Sequence, residues 1–167
     1  TALKQSKYRM PRARIVLNLS PADIKKEGTS YDLTMAIGIL ASSGQIVKVE
    51  VLKEYIIMGE LSLDGGLLPI KGALPIAIQA RKEKYKGIIL PKANAREAAI
   101  VNSLNVIGVE SLKEVVDFIE GKIEIEPTIV NTRDEFENNV TQSEYDFSDV
   151  KGQENIKRAL EIAAAGG

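Results

Sequence analysis

From Glu54 to Ile119 short apolar runs alternate with stretches of helical period, and few architectures accommodate such a chain. EYIIMGELSL (54–63) predicts a strand, DGG (64–66) a hairpin turn and LLPI its return. A helix over roughly 73–84 leads into the apolar strand GIIL at 87–90. Another over about 94–103 leads into NVIGV, after which Leu112, Val115, Val116 and Ile119 line one side of a helix. Upstream, RIVLNLS alternates Ile15, Leu17 and Leu19 with more polar neighbours, the pattern of a half-buried strand. Residues 31–43 place Leu33, Ala36, Ile37, Leu40 and Ala41 at helical spacing. A β-rich start followed by strand–helix alternation predicts an α/β (α+β) sandwich with mixed strand directions.

Charge divides the chain. Residues 1–122 carry 18 lysines and arginines against 13 acids, and the opening TALKQSKYRMPRAR is basic throughout. Residues 123–149 carry eight acids against Arg133 alone. Such a shift marks a boundary. We expect a first domain over 1–122, an acidic linker or extended arm over 123–147, and a last helical piece over 148–167 that begins near Gln153.

Two residue types are missing, and both absences exclude chemistry. Without cysteine there are no disulfides, thiolate metal sites or cysteine nucleophile, which fits a reducing, cytoplasmic setting. Without histidine there is no Ser-His-Asp triad and no histidine-containing zinc site. Acid–base work would fall to Lys, Asp, Glu or Tyr. No apolar run reaches membrane-spanning length, so no membrane partner is expected.

The stretch EGTSYDLTMAIGIL brings Thr29 and Ser30 to the start of the first buried helix. Thr29 to Asp32 has the T-x-x-D form of a capping box, worth on the order of 1 kcal/mol, with Gly28 freeing the turn before it. Capping is the preferred reading of Ser30. The alternatives are a nucleophile, or backbone contacts to an anion or partner at the same helix end.

Lys82, Lys84 and Lys86, beside Arg81, make a positive cluster. With Lys25, Lys26, Lys92, Arg96 and the N-terminal run they would form a phosphate-binding face, insensitive to base sequence. Each lysine taken singly is explained as well by helix-dipole matching and solubilising charge. Glu60 and Asp64 flank the hairpin turn, but no third ligand accompanies them, so no metal site is expected.

Two stretches, EGTSYDLTMAIGIL and GELSLDGGLLPIKGALPIAIQARKEKYKGIILPKAN, together resemble the Lon-protease-type (ribosomal-S5-domain-2-like) fold. NLSPADIKKEG followed by Tyr31-Asp32-Leu33 is similar, more closely, to the Lon-like N-terminal domain of the ComM/YifB family of magnesium-chelatase-like AAA+ ATPases. The closing DFSDVKGQENIKRALEIAAAGG looks like the opening of that family's AAA+ module, just ahead of its Walker A loop. No G-x-x-x-x-G-K-[ST] occurs in the chain, and Thr1 falls where an amphipathic helix should already be under way. The chain is therefore expected to be an excised piece lacking the family's two opening strands.

The resemblance carries functional implications. It sets Ser30 at the position of the catalytic serine of Lon-type peptidases, which activate the hydroxyl with a lysine. Leu74 stands where that lysine belongs, and Lys71, three residues earlier, would approach from the turn before the helix. The expectation is thus a non-catalytic regulatory and assembly domain, with a Ser30–Lys71 peptidase as the alternative. The family implies a parent that hydrolyses ATP with Mg2+ as a hexameric ring and remodels branched DNA in transformation or recombination. Its partners would be its own AAA+ module, sister subunits of a homo-oligomer, and DNA. Val150 and Gly152 correspond to a stretch that helps enclose adenine, although this chain alone holds no nucleotide or other cofactor. A chelatase subunit is a third reading, without a histidine here to ligate a porphyrin.

Overall fold

The computed structural model describes residues 2–12, 14–17 and 29–130, and the described residues up to Val130 form one compact unit. NLSPAD, Lys25, Lys26, the linker from 131 onward, the last helix, Val150 and Gly152 lie outside the described residues. In chain order come α1 (Ala2–Gln5), α2 (Asp32–Ser42) and a 3-10 turn (Val49–Lys53). β1 (Tyr55–Ile57), β2 (Glu60–Leu61) and β3 (Leu67–Leu68) follow. The chain continues with α3 (Ala73–Lys82), β4 (Gly87–Pro91), α4 (Lys92–Ala98), β5 (Asn105–Val109) and α5 (Leu112–Ile119). Among the described residues no helix is long and apolar enough to cross a membrane.

GIIL is apolar without alternation because β4 is the central strand and is buried on both faces. It pairs in parallel with β1, Ile57 opposite Ile89, and with β5, Ile89 opposite Ile107. Parallel neighbours require crossovers, and the helical stretches between the strands supply them. Side chains then sort by parity. Ile57, Ile89, Ile107 and Val109 face Leu33, Ile37 and Leu40 of α2 and Leu112, Val116 and Ile119 of α5. Ile88, Leu90 and Val106 face Ala73, Ala77 and Ala80 of α3 and Ala95 and Ala98 of α4. Alanine on that second face lets the helices lie close to the sheet. Gly108 shows how close, since a Cβ there would meet Ala95 Cβ at 2.8 Å and Lys92 Cα at 3.2 Å.

The expected mixed α/β architecture is present, with a parallel sheet and a small antiparallel pair. Several elements differ from their sequence reading. EYIIMGELSL is two strands. Met58 still donates to the Ile89 carbonyl (3.0 Å), but Gly59 turns away to the start of α2, and β2 then pairs antiparallel with β3. Periodicity registers extended backbone and says nothing about which partner it will find. Residues 14–17 form no strand and are exposed, Val16 at 75%. The helix expected over 94–103 ends at Ala98, before a turn in which Ser103 is left-handed (φ 62°). Residues 123–130, without helix or strand, pack back on the domain, Thr128 donating to the Val106 carbonyl (2.8 Å).

Candidate functional site

Ser30 sits half-buried in the turn before α2, and its main chain carries the local structure. Gly59 donates to the Ser30 carbonyl (2.8 Å), and Leu33 donates to the Gly59 carbonyl (3.0 Å). Asp32 closes the turn on the Thr29 carbonyl (3.0 Å). The helix N-cap is Tyr31, and no side chain caps it, so the expected T-x-x-D box does not form. Backbone donors that a cap would satisfy are met instead by neighbouring backbone. A box of that type forms elsewhere. Ser111 Oγ accepts from Glu114 N (3.2 Å) at the start of α5, while the Glu114 carboxylate accepts from Glu110 N (2.6 Å).

Lys71 is exposed, directly before the left-handed Gly72 (φ 78°) that starts α3. Its neighbour Ile70 is clamped by Asn94, whose Oδ1 accepts from Ile70 N (2.9 Å) and whose Nδ2 donates to Ile70 O (2.8 Å). Leu74 packs its side chain against the alanine-rich core, and its N–H donates to Glu97 Oε1 (3.1 Å). No hydrogen bond joins Ser30 to Lys71 among the described residues.

The turn between α3 and β4 gathers Lys82, Lys84 and Lys86, all exposed. Lys84 is left-handed (φ 62°), and Lys86 is engaged, with Glu54 at 2.8 Å and its ammonium 5.8 Å from the Tyr55 ring centroid. The Glu54 hydrogen bond, then the Tyr55 and Glu54 charges, raise the Lys86 ammonium above its ordinary pKa. Lys92 pairs with Glu110 (3.1 Å). Asp64 is likewise committed, accepting from the Ser62 hydroxyl and from Gly66 N (3.1 Å) within the DGG turn. Those bonds, Ser62's first, lower its carboxyl. Among the described residues no group of acids assembles a metal site.

Tertiary structure assembles a second positive region. Gln45 holds the main chain of the N-terminal segment, its Oε1 accepting from Arg9 N and its Nε2 donating to Arg9 O, each at 2.8 Å. A cleft of about 1020 Å³ opens there, lined among the described residues by Lys4, Tyr8, Arg9, Arg12, Ser43 and Gln45 and by no acid. On the other side of Tyr8 a cleft of about 530 Å³ is lined by Ser6, Lys7, Lys113, Asp117 and Lys122. Burial first, then the Asp117 and Glu120 charges, raise the Tyr8 phenol, keeping it a neutral donor. The basic N-terminal run is visible in the sequence. Lys113 and Lys122 join it only through folding.

The family described as "Subunit ChlI of Mg-chelatase" matches residues 1–94. Competence protein ComM of Haemophilus influenzae is 37% identical over 166 residues, covering 99% of this chain and 32% of that protein. YifB of Escherichia coli is 41% identical over 170 residues, covering 100% of this chain and 32% of that protein. Lon protease 2 of Bacillus subtilis is 31% identical over 101 residues, covering 59% of this chain and 18% of that protein. The chain thus spans about a third of the length of ComM and YifB. With more than half of its residues matched by the one family, the chain belongs to the magnesium-chelatase ChlI-subunit family.

Proposed function

We propose that this chain serves as a non-catalytic regulatory and assembly domain, with DNA contacts, in a magnesium-chelatase-like AAA+ ATPase. The observation that carries the reading is Leu74. At the position where a Lon-type peptidase needs its lysine base, this chain has an aliphatic side chain, half-buried against the alanine-rich core. A serine hydroxyl without a base is a poor nucleophile at neutral pH. The near-complete coverage by ComM supports a role in a competence or recombination motor acting on DNA in the cytoplasm. ATP and Mg2+ belong to the motor's own module, whose phosphate-cradling loop does not occur in this sequence. Sister subunits of a hexameric ring are the proposed protein partners.

Two measurements test the reading. A serine-reactive phosphonate probe is expected to leave Ser30 unlabelled. Labelling that is abolished in Ser30→Ala and in Lys71→Ala would establish the peptidase alternative instead. A fluorescent duplex at low ionic strength is expected to bind the chain, and absence of binding removes the DNA contact.

A further inference from the structure

We propose that nucleic-acid phosphates bind in the two basic clefts that share Tyr8 as a wall, and that the lysine turn after α3 is not the contact surface. This rests on the DNA reading above and gives it an address. The first cleft presents Lys4, Arg9 and Arg12 with no acid among its described lining residues. Among the described residues the second presents Lys7, Lys113 and Lys122 against Asp117 alone. Asp117 is itself shared by Lys113 and, at 3.8 Å, by Lys122, so the balance there stays positive. Salt bridges among the described residues involve none of Lys4, Lys7, Arg9 and Arg12. In the α3 turn Lys86 is bonded to Glu54, while Lys82 and Lys84, like Lys4 and Lys7, take part in none of these bridges.

The segment is held in place for such a task. Gln45 clamps Arg9 through both main-chain groups and also donates to Ser43 Oγ (2.8 Å), so Arg9 and its neighbours stand on the end of α2. Lys7 is left-handed (φ 65°), with Tyr8 N bonded to Leu3 O (2.9 Å) and Lys7 N to Lys4 O (3.1 Å). That is the helix-ending geometry in which glycine is customary, and Gly44 and Gly121 fill it after α2 and α5. Lys84 takes the same position after α3, so the backbone cost by itself does not distinguish the two lysines, and the assignment rests on the clefts. Guanidinium groups fit phosphate oxygens in a forked geometry, and a tyrosine between two phosphate sites offers a ring to a sugar or base.

The test measures fluorescence anisotropy of the intact chain with duplex and single-stranded oligonucleotides, and with polyglutamate of matched charge. Arg9→Gln with Arg12→Gln, and separately Lys7→Gly, are each expected to lower oligonucleotide affinity about three- to ten-fold at low salt and to flatten its salt dependence. Lys7→Gly retains the fold, because glycine suits that backbone. Lys82→Gln with Lys84→Gln and Lys86→Gln is expected to stay within about two-fold of wild type. A loss in that triple variant with none in the cleft variants overturns the assignment while leaving the DNA reading intact. Polyglutamate binding as tight as the oligonucleotides overturns the phosphate specificity. Wild-type chain that binds no oligonucleotide overturns the assignment together with the reading beneath it.

Discussion

Gly59 donates its N–H to the Ser30 carbonyl at 2.8 Å, and this bond ties the serine turn to the break between β1 and β2. The serine is thereby used through its backbone. Ser30→Ala is expected to change unfolding free energy by less than about 0.5 kcal/mol in a urea titration. A loss of about 1 kcal/mol, typical of an N-cap side chain, would contradict this.

A side chain at Gly59 would crowd two leucines. A Cβ there would lie 3.1 Å from Leu33 Cδ2 and from Leu67 Cδ2. Gly59→Ala is expected to destabilise the fold by about 1–3 kcal/mol by overpacking. Equilibrium denaturation checks this, and a neutral result would mean that the hairpin and α2 can part without cost.

Asn94, 7% exposed, satisfies both polar groups of Ile70. Asn94→Leu leaves a buried N–H and C=O unpaired and is expected to cost about 2–4 kcal/mol. Asn94→Asp keeps an acceptor for the N–H but sets an oxygen against the carbonyl, so it is expected to be destabilising too. A thermal melt of both variants decides.

Glu120 links α5 to the loop after α2, accepting Lys48 N at 3.1 Å and Val47 N at 2.8 Å. These bonds, Lys48's first, hold its carboxyl below the ordinary glutamate range. A lowered folded-state pKa means that the stabilisation is complete above the unfolded value, about 4.3, and fades as pH falls through the lower folded value. Glu120→Gln is expected to lower stability above about pH 4.3 and to flatten the acid limb of a stability–pH profile, the two proteins converging at low pH. An unchanged limb would show that Glu120 does not contribute to it.

Lys84 ends α3 in the left-handed region (φ 62°), where Tyr85 N reaches Ala80 O at 3.0 Å. Lys84→Gly removes the Cβ clash and is expected to stabilise the fold by about 1 kcal/mol. Its oligonucleotide affinity should match wild type, in contrast to Lys7→Gly.

How legible this was in the sequence follows from where the determining contacts lie. GIIL and NVIGV announce themselves because a central parallel strand must be apolar on both sides. The faces of α2 and α5 show in their spacing for the same reason. EYIIMGELSL reads as one strand because periodicity cannot distinguish the Ile89 partner from the α2 turn at Gly59. T-x-x-D at Thr29 and S-x-x-E at Ser111 look alike as strings, yet only the second has the extended cap residue that the geometry needs (φ −149°). The family was legible from long motifs. The clefts were only half legible, because α5 contributes Lys113 and, just past its end, Lys122 from over a hundred residues away.

The central proposal is that this domain works by charge and not by covalent chemistry, and the salt dependence of duplex binding tests it most directly. Each phosphate neutralised contributes a slope of about −0.9 to log K against log salt. With Lys4, Lys7, Arg9, Arg12, Lys113 and Lys122 lining the two clefts, we predict a slope of about −3 to −5. A slope near zero, or no binding at the lowest salt, would contradict the account.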